Sequence, residues 1–316
     1  MTVSVLHTPD AWWIKAADSA TRIDTAATTT AELLADRAAI DAAANAARGP
    51  GETVAVDSLS LVSPVTRPCR VIAQMTNFAS HVKDAGMDTA SVPLTFFRKA
   101  SASITGPFDD IVKPPHVRLL DYEVEIGLVV GRAIPIGTNI SETNLAEFVA
   151  ALVVTNDVSA RDVQLPQTQF YEAKSYPTFT PVGPELVLLN AGELQRFGDL
   201  RLRLSVNGDE RQNALVDGDM LYRPLEALRS LTQFQELAPG DLILTGTPVG
   251  TALSAPPKPV QLLGNLMPPH LKWRMFFARQ AGNPRYLHDG DVVEATVATD
   301  DGAIDLGTQR TAVRFA

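Results

Sequence analysis

The stretch Asp121-Tyr-Glu-Val-Glu-Ile-Gly-Leu-Val-Val-Gly131 decides the fold. Apolar side chains occupy every second position along it, a pattern that is typical of a β-strand. The apolar set that shares one strand face is Tyr122, Val124, Ile126, Leu128 and Val130. Two glutamates, Glu123 and Glu125, share the opposite face. The stretch therefore predicts a strand with one face in a core and a pair of carboxylates on the other.

The glutamate pair predicts a metal site. Positions i and i+2 of a strand lie roughly 6.6 Å apart, so the two carboxylates lean toward a common point. They repel each other unless a hard divalent cation, with oxygen ligands at about 2.0–2.6 Å, joins them. Asp157 follows the apolar run Ala151 to Thr155 and adds a third oxygen ligand at a strand end. This set suits Mg²⁺ or Mn²⁺, whereas the plain alternative is a solvated strand face with a turn-forming aspartate.

Composition limits the class of protein. The 316 residues are 45% hydrophobic and 20% charged, as in an ordinary globular protein with one large domain or two smaller ones. The net charge of −9 and the lack of a Lys/Arg block argue against nucleic acid and anionic membranes as partners. Cys69 is the single cysteine, which excludes an internal disulfide and a thiolate metal cluster. With no leader-like start and no apolar run near about 20 residues, the chain is predicted to be cytoplasmic.

The chain is predicted to divide at about residue 66. Residues 1–66 form a small N-terminal domain or extension, which contains an Ala-rich helix from Thr30 to Ala47. Residues 67–316 form a mainly β (α+β) body, because short β-branched runs alternate with Pro, Gly and Asp. The predicted strands are Arg70 to Ala73, Asp121 to Val130, Ala151 to Thr155, Glu185 to Leu189, Leu200 to Val206, Asp241 to Thr245 and Asp291 to Val297.

Helices are few in this body. Only Glu142 to Ala150 and Pro224 to Leu231 are predicted to be helical, too few for a repeating strand-helix barrel. Asn207-Gly208 is predicted to be a hairpin turn.

An irregular segment interrupts the body at about 251–286. It carries Trp273, Phe276 and Phe277 among many prolines, so it is interpreted as a covering loop or an oligomer contact. We expect the three aromatics to help wall a pocket for a bulkier or more apolar substrate. A dimer contact is the alternative.

Several polar residues are candidates for catalysis or substrate binding. Lys174 lies in a Pro-rich aromatic loop and Lys99 follows Phe97-Arg, so each is either an electrostatic catalyst or an exposed lysine. Gln164 is expected to offer its amide to a substrate oxygen, with a solvated loop glutamine as the alternative. Nearby, Arg161 and Asp162 are interpreted as a structural ion pair.

His81 and Asp84 form a candidate dyad. At i and i+3 on a helix the two side chains are neighbours, and a carboxylate that orients an imidazole makes it a better general base. An exposed helical ion pair is the alternative. In the turn Thr245-Gly-Thr-Pro-Val-Gly250, the glycines let backbone N–H groups approach an anionic group closely, although a plain β-turn also explains them.

In their order along the chain, these motifs resemble the fumarylacetoacetate hydrolase family. The resemblance covers most of residues 64–316, whereas residues 1–63 look like the variable extension of longer members. The matching stretches are Asn77 to Asp84, Phe97 to Gly106, Asp121 to Gly131, Asn156 to Gln164, Lys174 to Pro184, Thr245 to Gly250 and Leu287 to Glu294.

The resemblance implies a catalytic domain that is a mixed β-sandwich roll, usually dimeric, with Mg²⁺ or Mn²⁺ bound and Ca²⁺ as a substitute. It implies that Glu123, Glu125 and Asp157 bind the metal. The residues expected to lie near substrate are Lys174, Gln164, Lys99, Thr247 and Gly246. Asp84 stands where the family has a glutamate, one methylene longer, so the dyad is weaker here. The segment at 251–286 is longer than in compact members.

The expected activity is metal-dependent hydrolysis of the C–C bond in a 1,3-dicarbonyl or acylpyruvate. A Lewis-acidic ion stabilises the enolate that leaves, and His81 activates water. The same site also suits decarboxylation, isomerisation or hydration of a 2-oxo acid, and a poor dyad favours the reactions that need no activated water. A non-catalytic metal-binding β-sandwich is the alternative from another class.

Overall fold

Two β-sheets dominate the chain. The computed structural model describes residues 2–49, 52–167, 170–254 and 267–316. Its strands are β1 (Val3–Thr8), β2 (Ala11–Ala16), β3 (Ser19–Arg22), β4 (Val54–Ala55), β5 (Val71–Gln74), β6 (Phe96–Lys99), β7 (Ile104–Thr105), β8 (Ile111–Lys113), β9 (Leu120–Asp121), β10 (Val124–Val130), β11 (Val149–Asn156), β12 (Ser159–Ala160), β13 (Thr180–Pro181), β14 (Leu186–Leu188), β15 (Leu200–Val206), β16 (Asp209–Leu215), β17 (Leu242–Leu244), β18 (Val292–Thr299) and β19 (Asp305–Phe315). The α-helices are α1 (Thr30–Ala35), α2 (Arg37–Ala46), α3 (Ala79–Asp84), α4 (Leu145–Phe148), α5 (Arg161–Gln164), α6 (Ala191–Leu194), α7 (Pro224–Leu231) and α8 (Pro269–Gln280). The predicted mainly β class is confirmed.

The larger sheet has ten strands in the order β4-β3-β2-β1-β14-β11-β10-β17-β5-β6. Strand β10, which lies in the stretch Asp121 to Gly131, is flanked by β11 and β17, both antiparallel to it. Strands β17 and β5 run parallel, so the sheet is mixed. A second sheet of five strands has the order β16-β15-β18-β19-β8.

The ten-stranded sheet separates two apolar cores, because alternate side chains of a strand point to opposite faces. On one face, Leu128, Leu152 and Ile243 pack with Leu202 and Val297 of the five-stranded sheet, which makes the predicted β-sandwich; we call this the sandwich core. On the other face, residues such as Val129, Val153 and Leu242 pack with Leu33 and Ile40 of α1 and α2; we call this the helix-side core. Strand β10 is therefore buried on both faces.

The N-terminal segment continues the large sheet. Strand β1 pairs with β14, with Val3 opposite Leu188, and the helices after it supply the helix-side core. The division at residue 66 stays a prediction, but hydrogen-bonded strands and a shared core cross it. The Ala-rich helix predicted from Thr30 to Ala47 is split at Asp36, whose side chain caps the second helix by accepting from Ala39 N.

Other predicted elements are partly corrected. The helix Pro224–Leu231 and the hairpin turn at Asn207-Gly208 are confirmed. The helix predicted from Glu142 to Ala150 is wrong in extent, because α4 ends at Phe148 and β11 begins at Val149. Tertiary pairing with β10 takes these last residues into the sheet. Of the segment 251–286, residues 255–266 lie outside the described chain, and the rest contains the unpredicted helix α8.

Candidate active site

Three carboxylates meet at one end of the large sheet. Glu123 and Glu125 lie at the start of β10, and Asp157 follows the last residue of β11. The antiparallel register sets Val124 opposite Asn156, and Asp157 N donates to Glu123 O at 2.8 Å. All three side chains are buried, and one ligand oxygen from each lies within 4.8 Å of the others. As predicted, the three residues approach one another. They are buried, so they do not form the solvated strand face that was the alternative.

Buried cations surround these carboxylates. Lys174 Nζ donates to Glu123 Oε2 at 2.5 Å and to Asp157 Oδ2 at 2.7 Å. Lys99 Nζ donates to Asp157 Oδ1 and, at 2.8 Å, to Phe179 O. Both lysines are almost fully buried, at 2% and 3% exposure, so neither is the exposed surface lysine considered from the sequence.

Arg161 is a site residue that the sequence analysis misassigned. It bonds Glu123 Oε1 through Nη2 at 2.5 Å and Asp121 Oδ2 through Nε at 2.8 Å, so the predicted ion pair with Asp162 is wrong. Asp162 instead accepts from Arg118 N. The pairing of β9 with β12, which sets Asp121 opposite Ser159, brings Arg161 into reach. Arg161 Nη1 also donates to Gln164 Oε1 at 2.8 Å, which places Gln164 beside the site.

The surroundings shift the pKa values of the two glutamates in opposite directions. Burial alone would raise the pKa of Glu123, but Arg161 and Lys174 hold it at about 2. Burial also raises the pKa of Glu125, and here the negative charges of Asp157 and Glu123 raise it further, well above its ordinary value. Its contact with the protein is a hydrogen bond from Gly246 N at 2.6 Å. Glu125 is thus the carboxylate that would gain most from an added cation.

The donor set fits a hard divalent cation. Ligand oxygens that share one ion at about 2.0–2.6 Å lie within about 5 Å of one another, and the three carboxylates meet this condition. All three ligands are oxygens, which Mg²⁺, Mn²⁺ and Ca²⁺ accept. The residues that would hold the ion are therefore those named from the sequence.

His81 reaches the site from α3. Burial lowers the pKa of His81, while the charge of Glu123 raises it and those of Arg161 and Lys174 lower it, so the imidazole lies in the field of the cluster. Its Nδ1 is buried and has no hydrogen-bond partner in the described part of the chain. Among the same residues, this nitrogen makes no hydrogen bond to Asp84, although both residues lie on α3. The dyad remains a prediction without a formed contact.

The turn after β17 borders the site. Gly246 has a φ of 83°, which glycine adopts freely, and this conformation directs its N–H to Glu125. Thr247 Oγ1 donates to Val124 O and accepts from Gln212 Nε2. Val249 N donates to Ser80 Oγ, which ties the turn to α3. Substrate contacts by Gly246 and Thr247 stay predictions, and the hydroxyl of Thr247 already has protein partners.

The aromatics of α8 pack chiefly on one another. Trp273 and Phe277 stack with ring centroids 5.7 Å apart, and Phe276 meets Trp273 edge-on at 6.0 Å. Phe277 also touches the sandwich core and the guanidinium of Arg118. Their predicted role as a pocket wall stays a prediction. Across the residues described, none of the helices has the length and apolar character needed to span a membrane.

The chain is similar in sequence and in structure to several known proteins. The sequence pattern of the fumarylacetoacetate (FAA) hydrolase C-terminal domain matches residues 70–314. A mitochondrial oxaloacetate tautomerase, Fahd2a of Rattus norvegicus, is 34% identical over 200 residues, which span 63% of this chain and 62% of that relative. A probable 2-hydroxyhepta-2,4-diene-1,7-dioate isomerase from Mycobacterium abscessus is 28% identical with a TM-score of 0.72, covering 100% of this chain and 99% of that one.

A more distant structure shares the fold. The maleylpyruvate hydrolase from Sphingobium sp. SYK-6, solved with manganese(II) and pyruvate, is 20% identical with a TM-score of 0.73, and each chain is covered over 100% of its length. At this identity the likeness shows the architecture alone.

Proposed function

The chain belongs to the fumarylacetoacetate hydrolase family, and on this premise we propose that it is a divalent-metal-dependent isomerase that interconverts the enol and keto forms of a 2-oxo acid. The substrate binds through its carboxylate and 2-oxo group at the cluster of Glu123, Glu125 and Asp157. Mg²⁺ or Mn²⁺ is the cofactor proposed.

The observation that carries this proposal is the state of His81. Its Nδ1 is buried, and within the described residues it neither donates a hydrogen bond to Asp84 nor bonds any other group. A general base that activates water needs an oriented imidazole, which a bonded carboxylate normally provides. Moving a proton to or from C3 of an enol needs only an acid-base group close to that carbon. The unoriented imidazole therefore favours isomerisation over hydrolysis.

The residues divide the work as follows. A bound divalent ion would supply Lewis-acid stabilisation of negative charge on the enolate oxygen. Arg161 and Lys174 hold Glu123 ionised, so that the ligand set keeps its charge when substrate enters. Burial lowers the pKa of His81 and so keeps the imidazole neutral near neutral pH, ready to accept the C3 proton at a ring nitrogen. The 2-oxygen then takes a proton from solvent to give the enol, and in the reverse direction the oxygen loses its proton while His81 delivers one to C3. Gln164 is proposed to present its amide to the substrate carboxylate.

The relatives support this direction. The rat protein is named for the tautomerisation of oxaloacetate, and the Mycobacterium abscessus structure for isomerisation of an unsaturated dioate. Both names describe an enol–keto or double-bond shift in a 2-oxo acid or its enol. The alignment spans 62% of the rat relative, so the activity of that relative is proposed for this chain and not transferred to it.

Cleavage of a C–C bond in an acylpyruvate is the second candidate function. Asp84 lies three residues after His81 on α3, so a side-chain rotation would bring the predicted dyad together. The non-catalytic metal-binding sandwich is less favoured, because Lys174 bonds two of the three carboxylates and His81 lies in their field. A homodimer in the cytoplasm remains the prediction for assembly and location.

The test compares three reactions in the presence of Mg²⁺ or Mn²⁺. Loss of enol absorbance reports tautomerisation of oxaloacetate, CO₂ release reports its decarboxylation, and pyruvate formation reports cleavage of an acylpyruvate. We expect tautomerisation to dominate, Glu123→Gln to abolish it, and His81→Asn to slow it by about 10²–10⁴-fold. The matched control Glu147→Gln changes an exposed carboxylate paired with Arg132 and should retain full activity. If metal-dependent cleavage of the acylpyruvate is faster than tautomerisation, the protein is a hydrolase and the isomerase proposal is wrong.

A further inference from the structure

A cavity of about 510 Å³ opens beside the segment that carries His81. It is lined by residues 75–76, just after β5, and by residues between 87 and 95. Its size lies within the range of about 300–1,000 Å³ that is usual for small-molecule sites. Helix α3 lies between these two stretches in the chain, so the cavity is built from the segments that hold His81 in place.

The cavity continues the face of the sheet on which the site lies. Lys99 pairs with Val71 and Phe97 with Ala73, and side chains two residues apart point to the same face. Lys99 reaches Asp157, and Phe97 lies 5.6 Å from Lys174 Nζ. Met75, two residues beyond Ala73, is the next side chain on this face and lines the cavity. Lys99, Phe97 and Met75 therefore succeed one another on this face, from the carboxylates toward the cavity.

The frame of the cavity is fixed by hydrogen bonds. Met75 N donates to Thr95 O at 2.9 Å, and Met87 N donates to Val82 O at 3.0 Å. Tyr222 Oη donates to Val92 O at 2.7 Å and holds the loop from outside. Hydrogen bonds thus fix the backbone on both sides of the opening.

The lining combines apolar side chains with the small hydroxyl side chains of Thr76, Ser91 and Thr95, and it carries little charge. Met75, Met87, Val92 and Pro93 supply carbon and sulfur surface, and methionine adapts to varied apolar shapes. Among the lining residues that the structure describes, Asp88 is the charged one, and no lysine or arginine is present. A second carboxylate on the substrate would find no cation there, whereas an alkyl or aryl group would exchange water for apolar contact.

We propose that this cavity binds an apolar substituent on C3 of the 2-oxo acid, so that the preferred substrate is a 3-alkyl or 3-aryl 2-oxo acid in place of a dicarboxylate such as oxaloacetate. The inference rests on the proposed function for the binding of the 2-oxo acid head at the carboxylate cluster. Each methylene that enters the cavity should tighten binding by about fourfold, up to the length that fills it.

Binding is measured with N-alkyl oxamates on the Mn²⁺-loaded full chain. An oxamate keeps the carboxylate and the adjacent carbonyl and places nitrogen where C3 would be, so it binds without enolising. Calorimetry should show affinity rising along the methyl, propyl and hexyl series. The same trend is expected in kcat/KM for the corresponding 3-alkyl 2-oxo acids.

The variant Met87→Glu tests the assignment of the wall. It introduces a carboxylate at a residue that is 45% exposed, so folding should be retained. We expect hexyl oxamate to lose at least about tenfold in affinity, since a charge opposes apolar burial, and methyl oxamate to change less than twofold. Met275→Glu on α8 makes the same chemical change at a residue that is 61% exposed and outside the lining. It should leave the affinity for both ligands unchanged.

The outcomes separate this inference from the proposed function. Chain-length-dependent oxamate binding without enol–keto turnover would retain the cavity and refute the isomerase. If isomerisation occurs but all oxamates bind with equal affinity, the cavity is not a substituent site. The same holds if Met87→Glu weakens the binding of methyl oxamate and hexyl oxamate equally. Absence of both oxamate binding and turnover would refute both.

Discussion

The ammonium group of Lys174 lies between Glu123 and Asp157 in the interior of the protein. Removing one member of a buried ion pair leaves uncompensated charge and costs about 3–5 kcal/mol. We expect Lys174→Met to lower the unfolding temperature of the metal-free protein, whereas Lys83→Met, on an exposed position of α3, should not.

Added Mn²⁺ should restore more stability to Lys174→Met than to the parent protein, because the ion replaces the lost positive charge between the carboxylates. Differential scanning fluorimetry with and without Mn²⁺ measures this. Equal stabilisation of both proteins by the ion would contradict a shared site for lysine and metal.

His81 sets the expected pH dependence of catalysis. Burial lowers its pKa from the ordinary 6.5, with Arg161 and Lys174 adding to the effect and Glu123 and Asp84 opposing it. The neutral imidazole is the active base, so kcat/KM should fall toward acid pH as the imidazole becomes protonated, with the midpoint of this fall below the ordinary pKa of 6.5. A pH profile of the enol–keto reaction measures this. An acid limb centred above pH 6.5, or one unchanged in His81→Asn, would exclude His81 as the base.

The positions of individual candidate site residues were predictable where they depend on local pattern. Glu123 and Glu125 follow from strand alternation, and Asp157 from its position after an apolar run. Arg161 was assigned to Asp162, its neighbour in sequence, because the contact with Asp121 exists only once β9 and β12 pair. The buried state of Lys99 and Lys174 likewise depends on packing between distant segments.

At the scale of elements, the turn after β17 joins a strand to the site. Gly246 and Gly208 share a φ of 83°, but a Cβ at Gly246 would lie 2.8 Å from Asn77 Cβ, whereas one at Gly208 meets nothing within 4 Å. We expect Gly208→Ala to cost about 1–2 kcal/mol of unfolding free energy, the strain of a left-handed residue. Gly246→Ala should cost more and should weaken Mn²⁺ binding, because its N–H bonds Glu125.

Chemical denaturation and metal titration of the two glycine variants measure this difference. Equal effects on both quantities would show that Asn77 moves aside freely and that the turn does not fix Glu125.

Helices and strands were predictable where the capping or turn residues and the apolar pattern indicate the same boundaries. Pro224–Leu231 begins with proline in the first turn, and β15 and β16 are joined by Asn207-Gly208. The boundary between α4 and β11 was wrong because pairing with β10 takes Val149 and Ala150 into the sheet. Helix α8 has no fully buried residue, so its weak amphipathic pattern gave no signal.

At the scale of the molecule, the N-terminal segment and the mainly β body share the helix-side core. Leu33 is 0% exposed and packs with residues of the large sheet. Leu33→Ala should lower the unfolding free energy of the whole chain by about 2–5 kcal/mol, in a single transition. Leu271→Ala, at a residue that is 39% exposed, is the control. Two separate denaturation transitions, with only one of them shifted, would show instead that residues 1–66 fold as an independent domain.

The pairing of Val3 with Leu188 also constrains how the chain acquires its structure. During synthesis, β1 to β3 leave the ribosome long before β14, so the N-terminal hairpin waits with one strand edge and its apolar face uncovered. Contacts between such distant residues slow folding, since the loop between them must close first. The early chain is therefore the part most exposed to aggregation, and chaperones that bind it would raise the yield of active protein more than stabilising changes near the C-terminus.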